Sequence, residues 1–233
     1  MRKRLFVFAS LTAFAAAVAT SQEKTPPMQA FTRWQPPEPI RKAVDKAKVS
    51  GSMELSGCTE NMRPQYPKTR ALSAGNGTAV EMLREVLADN PNISVEQATS
   101  GVVRIVDTNA SIDILNLKIE HITFEDYARN FAYSPNGALT TILQAPEVSS
   151  FMNAHNLKPF SGPAGAGPPG WGQLNGPHLS GSLDNVTLID ALDKVLKVFP
   201  GLWVYWSCPQ SDNKIVVRFH FFRRDAFGEI RGD

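Results

Sequence analysis

Residues 186–206, VTLIDALDKVLKVFPGLWVYW, carry a complete set of instructions for a helix followed by a strand. Thr187-x-x-Asp190 is a capping-box spacing, in which the hydroxyl takes an orphan backbone N–H and the carboxylate answers it. Leu188, Leu192, Val195, Leu196 and Phe199 then recur with helical period and predict a single apolar stripe. Asp190 with Lys194, and Asp193 with Lys197, fall one turn apart on the side expected to be wet. Pro200 disfavours further helix at Phe199, and LWVYW favours a strand. A polar turn, SCPQSDNK, separates it from KIVVRF, which completes an antiparallel hairpin.

The same instructions occur earlier, in GTAVEMLREVLADNPNISV at residues 77–95. With an offset of 109 residues, Thr78 meets Thr187, Leu83 meets Leu192, Val86 meets Val195, Leu87 meets Leu196, Pro91 meets Pro200 and Val95 meets Val204. Six identities in eighteen positions exceed the roughly one that background usage gives. Thr78-x-x-Glu81 repeats the capping box, and VVRI at 102–105 repeats the VVRF of 216–219 after a shorter turn. The expected fold class is α+β: two helix-strand-strand repeat units with antiparallel hairpins. They pack in one domain or in two abutting small ones, since one unit alone buries neither its stripe nor its sheet face.

In the second unit, Leu188-x-x-Ala191-Leu192-x-x-Val195-Leu196, Gly201-Leu202 and Ile215-Val216-Val217 form an α-β-β pattern. It resembles the short N-terminal domains of secretin and TonB proteins in bacterial envelopes. The likeness covers about forty residues there and fewer in the first unit, which lacks the glycine. The whole chain is similar to exported bacterial proteins of unassigned function.

The first residues support that setting. Arg2, Lys3 and Arg4, the apolar run Leu5–Ala19 and the small residues Ala17-Val18-Ala19 predict a signal peptide over 1–21. The chain has 24 basic and 22 acidic residues; without the leader's three cations it has 21 and 22. Such a balance offers no electrostatic footprint for nucleic acid. No later run is long and apolar enough to cross a membrane. Cys58 and Cys208 are an even number in a chain bound for an oxidising compartment, so one disulfide is the first reading and two free thiols the other.

Around the units the chain divides further. Residues 22–50, with TPPMQAFTRWQPPEPI, are expected to form a Pro-rich linker or extended arm. Residues 51–160 hold the first unit, a strand within LNLKIEHITF (115–124) and short helices over 137–144 and 146–155. A Gly/Pro-rich loop with Trp171 fills 161–176, the second unit 177–224, and a tail 225–233.

Chemistry is sparsely signalled. His121, His155, His178 and His220 are dispersed and match no zinc spacing, so no metal, cofactor or catalytic residue is assigned. Ser211-Asp212-Asn213 suits a hairpin turn. Arg231-Gly232-Asp233 is expected to be a coincidental terminal tripeptide, and the Asn-x-Ser/Thr sequons at 76, 92, 109 and 185 matter only in a eukaryotic secretory pathway.

The hairpins differ in one respect. In the first unit Ile93, Val95, Val103 and Ile105 are expected inward and Ser94, Glu96 and Arg104 outward. In the second, Leu202, Val204, Trp206, Val217, Phe219 and Phe221 are expected inward. Trp203, Tyr205, Arg218 and His220 then face outward, either as a recognition patch or as a face covered by the Gly/Pro loop or the first unit. These features favour an exported, periplasmic or secreted binding or scaffolding module whose partner is a protein or envelope component. The alternative is a hydrolase of envelope or extracellular polymer using His178 with Ser180, or His220.

Overall fold

The structure is a computed structural model that describes residues 35–75, 77–110, 113–124, 135–159, 177, 179–209, 214–225 and 228–232. The expected leader, the Gly/Pro-rich loop with Trp171, His178 and the Ser211-Asp212-Asn213 turn lie outside these residues.

The first described element corrects the expectation of a linker. Glu38–Lys46 is a helix, α1, whose Pro37 and Pro39 occupy the cap and first turn, where a missing N–H costs nothing. Ile40, Ala43 and Val44 supply its buried stripe, and Glu38 pairs with Lys42 at 2.6 Å. Prolines that read as a breaker therefore act as a starter. Gly51–Ser56 follows as β1, with Met53 and Leu55 on one face and Ser52 and Glu54 on the other.

The first unit is α2 (Ala79–Val86), β2 (Ile93–Gln97) and β3 (Val103–Asp107). After one 3-10 turn (Asp113–Asn116) come β4 (Lys118–Phe124), α3 (Pro135–Leu143), α4 (Pro146–Ala154), β5 (Leu157–Pro159) and β6 (Gly181–Thr187). The second unit is α5 (Leu188–Val198), β7 (Gly201–Pro209) and β8 (Ile215–Arg224). Ile230–Gly232, read as tail, is a last strand, β9: it pairs with β8, and Ile230 is buried.

A seven-stranded sheet runs β2-β3-β1-β7-β8-β5, with β9 also on β8. The β2/β3 and β7/β8 hairpins are antiparallel, and β1 joins them by lying parallel to both β3 and β7. Both units thus share one sheet. β4 and β6 form a separate antiparallel pair.

Each face of the large sheet carries its own core. α1 and α2 cover Met53, Leu55, Val95, Val103, Ile105, Leu202, Val204 and Trp206. α3, α4, α5 and β4/β6 cover Trp203, Tyr205, Val217 and Phe221. The units keep the same element order but are not packed as copies, because their helices lie on opposite faces. α2 ends at Val86 and β2 starts only at Ile93, so Val95 meets its own helix. α5 runs to Val198 and β7 starts at Gly201, so Trp203 and Tyr205 meet theirs and Val204 turns away.

Thr78 makes the complete capping box with Glu81. Thr187 makes half of one: it accepts from the Asp190 N–H at 3.2 Å, while the shorter aspartate takes the Thr187 hydroxyl at 2.6 Å. Cys58 and Cys208 lie at disulfide distance, with Cα atoms 5.5 Å apart. Cys208 is fully buried at the end of β7, not in an exposed turn.

Candidate functional site: a polar cavity beneath α5

Directly paired residues of a sheet share a face. Ser52 is opposite Arg104 on β3 and Trp203 on β7; Glu54 is opposite Val106 and Tyr205. β2 adds Glu96 opposite Arg104 and Ser94 opposite Val106, while β8 adds Phe221 and Phe219 opposite Trp203 and Tyr205. This face therefore grades from carboxylate and hydroxyl at the β2 edge, through Arg104 and Glu54, to aromatic rings at β8.

α5 lies over the boundary. Asp193, expected on its wet side beside Lys197, is instead 1% exposed. It accepts from Ser100 Oγ at 2.8 Å, Arg104 Nη2 at 2.9 Å and Trp203 Nε1 at 3.0 Å. Three donors, one of them cationic, stabilise a charge that would be costly to bury alone. They also tie α5 to three segments of the sheet side.

Beside this knot is a cavity of about 180 Å³. Glu54, Ser94, Glu96, Arg104 and Asn116 form its polar lining, and Val106, Leu115 and Ile189 its apolar one. Glu54 is 2% exposed, and its Oε1 has no hydrogen-bond partner. Burial pushes its carboxyl up to about 7; Arg104 opposes that rise, while Asp193 and Glu96 add to it. Tyr205, beside it, is pushed up to about 12 by burial, with the Glu54 and Asp113 charges adding. Ser52 Oγ and Arg104 Nε are also buried without a partner. The central strand thus presents a carboxyl group able to donate or accept near neutral pH, with unused hydrogen-bonding capacity.

The four residues expected to share an outward face are divided between the cores. Trp203 and Tyr205 face α5 and are each 1% exposed; Arg218 and His220 lie on the α1/α2 face beside Trp206 and Val204. Arg218 is buried, its Cζ 6.0 Å from the Trp206 ring, and desolvation lowers its pKa. His220 packs edge-on to Phe222, ring centroids 4.5 Å apart, and burial holds it down at about 4. The outward assignment is corrected because helices cover both faces, so period-two alternation separates two cores rather than core from water. The inward set fails likewise: Leu202, Val204 and Trp206 oppose Val217, Phe219 and Phe221 across the sheet.

Among the remaining histidines, His155 stacks on Phe151 at 4.0 Å. His121 bridges the β4/β6 pair: Nδ1 meets Asp184 Oδ1 at 2.6 Å and Nε2 meets Thr123 Oγ1 at 2.7 Å. All three side chains are exposed, and the adjacent Asn185 has a φ of +52°. The order carboxylate, imidazole, hydroxyl is that of an activated nucleophile, but an open strand face provides no water-free setting for it. Ser180 is exposed. Among the described residues no group of three or more His, Cys, Asp or Glu is placed to hold a metal ion, and no helix is long and apolar enough to cross a membrane.

Sequence patterns missed Glu54 and Asp193. Ile189, an apolar residue outside the α5 stripe and one turn before Asp193, was the available sign that this helix is covered on a second side.

The class shown is therefore an α+β protein with a two-faced mixed sheet and an acidic cavity. No family model, curated protein or solved structure matches the chain.

Proposed function

We propose that this chain is an exported, non-enzymatic binding module of the bacterial cell envelope, acting in the periplasm or outside the cell through the cavity beneath α5. The observation that carries the reading is Glu54: an almost fully buried carboxyl group with an unpartnered oxygen at the wall of a cavity. Buried polar atoms in folded proteins are nearly always hydrogen-bonded. A concave site with convergent polar groups and a perturbed carboxyl is where a ligand gains most. Export is supported by the basic, apolar and small-residue pattern of 1–21 and by two cysteines at disulfide distance. The envelope setting also agrees with the likeness of the second unit to secretin and TonB short domains.

A panel of small cationic, anionic and neutral probes, read by thermal shift, tests the binding reading. At least one class should raise the midpoint of the natural protein and not that of Ser94→Trp, whose exposed position lets an indole fill the cavity without disturbing a core. The reading loses its site when every class leaves both proteins unmoved.

One observation favours the alternative of a secreted hydrolase: the chain of contacts from Asp184 through His121 to Thr123. Hydrolysis of chromogenic esters and glycan fragments that disappears in Thr123→Ala would establish it.

A further inference from the structure

We infer that the ligand of this cavity presents a primary alkylammonium group to Glu54 and Glu96, with its alkyl stem against Val106, Leu115 and Ile189. The inference rests on the binding reading above and names its chemistry. Glu54 and Glu96 line the cavity and Asp193 lies behind it, against one guanidinium, Arg104, whose Nη2 is already given to Asp193. The surplus is negative. The unused capacity at the wall includes an acceptor, Glu54 Oε1, on a side chain 2% exposed. A compact ammonium brings three donors and a charge to that oxygen, and this offsets the cost of burying the carboxylate. Arg104 Nε, buried without a partner, leaves room for a hydrogen-bond acceptor elsewhere on the same ligand.

Size agrees. A volume of about 180 Å³ holds several waters' worth of liquid, at roughly 30 Å³ each. It therefore takes a short aminoalkyl group. Such a group could come from a free amine or from a lysine side chain of a partner.

Glu54 is faced by Arg104 from β3, Glu96 from β2, Asp193 from α5 and Tyr205 from β7, with Asp113 of the 3-10 turn acting on Tyr205. Because Glu54 ionises at about 7, an ammonium, itself charged up to about pH 10, gains its partner as pH rises.

The test is calorimetric titration of the full mature protein with n-propylammonium chloride at constant ionic strength, with propionamide and propionate as comparators. Binding should be about tenfold tighter at pH 8 than at pH 6, following the ionised fraction of Glu54. Glu54→Gln should bind about tenfold more weakly at pH 8 and lose the pH dependence, while circular dichroism shows it folded. Nα-acetyl-lysine amide run in parallel separates the sources: equal binding points to a protein lysine, and binding of propylammonium alone to a free amine. Propionamide or propionate binding as well as propylammonium, or propylammonium binding indifferent to Glu54→Gln, overturns the ammonium assignment and leaves the cavity as a site. No binding by any of the three, with Ser94→Trp indistinguishable from the natural protein, overturns the site as well.

Discussion

His220, through burial alone, and Glu54, through burial first and its charged neighbours second, have titrations moved far from the ordinary values, in directions that move stability oppositely. His220 ionises at about 4 in the fold against 6.5 ordinarily, so its contribution is fully present above pH 6.5 and is lost as pH falls from there toward 4. Glu54 is raised from 4.5 to about 7, so its contribution is fully present below pH 4.5 and is lost as pH rises toward 7. Each shift corresponds to at most about 3 kcal/mol, and between pH 4.5 and 6.5 the two slopes oppose one another. His220→Phe, which keeps a ring against Phe222, should therefore hold its urea midpoint better than the natural protein at pH 5. Glu54→Gln should be more stable than the natural protein at pH 8, by up to about 3 kcal/mol, with the gain vanishing at pH 4. Urea titrations across pH 4–8 check both, and parallel curves for variant and parent would refute the assigned shifts. Neither behaviour was legible in the sequence. His220 alternates with apolar residues as a wet position would, and GSMELS gives no sign that a second layer covers Glu54.

Among elements, the helices and hairpins followed from local chemistry: capping threonines, a 3.6-residue stripe and proline stops placed α2, α5 and the β7/β8 hairpin. α1 and β9 were misread because each is short and draws its stability from long-range partners. Arg224 Nε donates to Asp45 Oδ1 at 3.0 Å, Ile230 N–H donates to Asp45 Oδ2 at 3.1 Å, and Arg41 Nη1 donates to the Ile230 carbonyl at 3.1 Å. Those contacts join residues nearly two hundred positions apart, which no local pattern encodes. Gly201 is tightly constrained, since a Cβ there would overlap the backbone carbonyl of Phe222 on the paired strand and lie 3.1 Å from the Arg223 Cα. Gly201→Ala should therefore cost about 2 to 3 kcal/mol, because backbone atoms and not a flexible tip must give way. A urea midpoint within error of the parent would show that the hairpin shifts freely at its start.

For the whole molecule, β1 is the piece that makes one body of two hairpins, and the cysteine pair reinforces the same junction. Cys58 follows β1 and Cys208 lies near the end of β7, 150 positions further along the chain. Closing so long a loop removes chain entropy worth about 5 kcal/mol from the unfolded state, less any native strain. Cys58→Ser with Cys208→Ser should lower stability by several kcal/mol, measured by urea unfolding. Thiol titration of the denatured, unreduced parent should find none free, and two titratable thiols would remove the bridge.

Residue order and chemistry alone were enough for the α+β class and for the local helices and hairpins, because caps, periods and turns act within about twenty residues. They leave the two cysteines open between a bridge and free thiols, and only the fold brings them to disulfide distance. Packing decided the rest: which face of each strand meets its helix, that β1 inserts between the hairpins, and that Glu54, Arg104 and Asp193 converge. A strand's period of two says only that its faces differ. Whether the second face meets water or another layer depends on contacts brought together from distant parts of the chain, and here that layer turned an expected outward patch into core and a buried strand into the wall of a cavity.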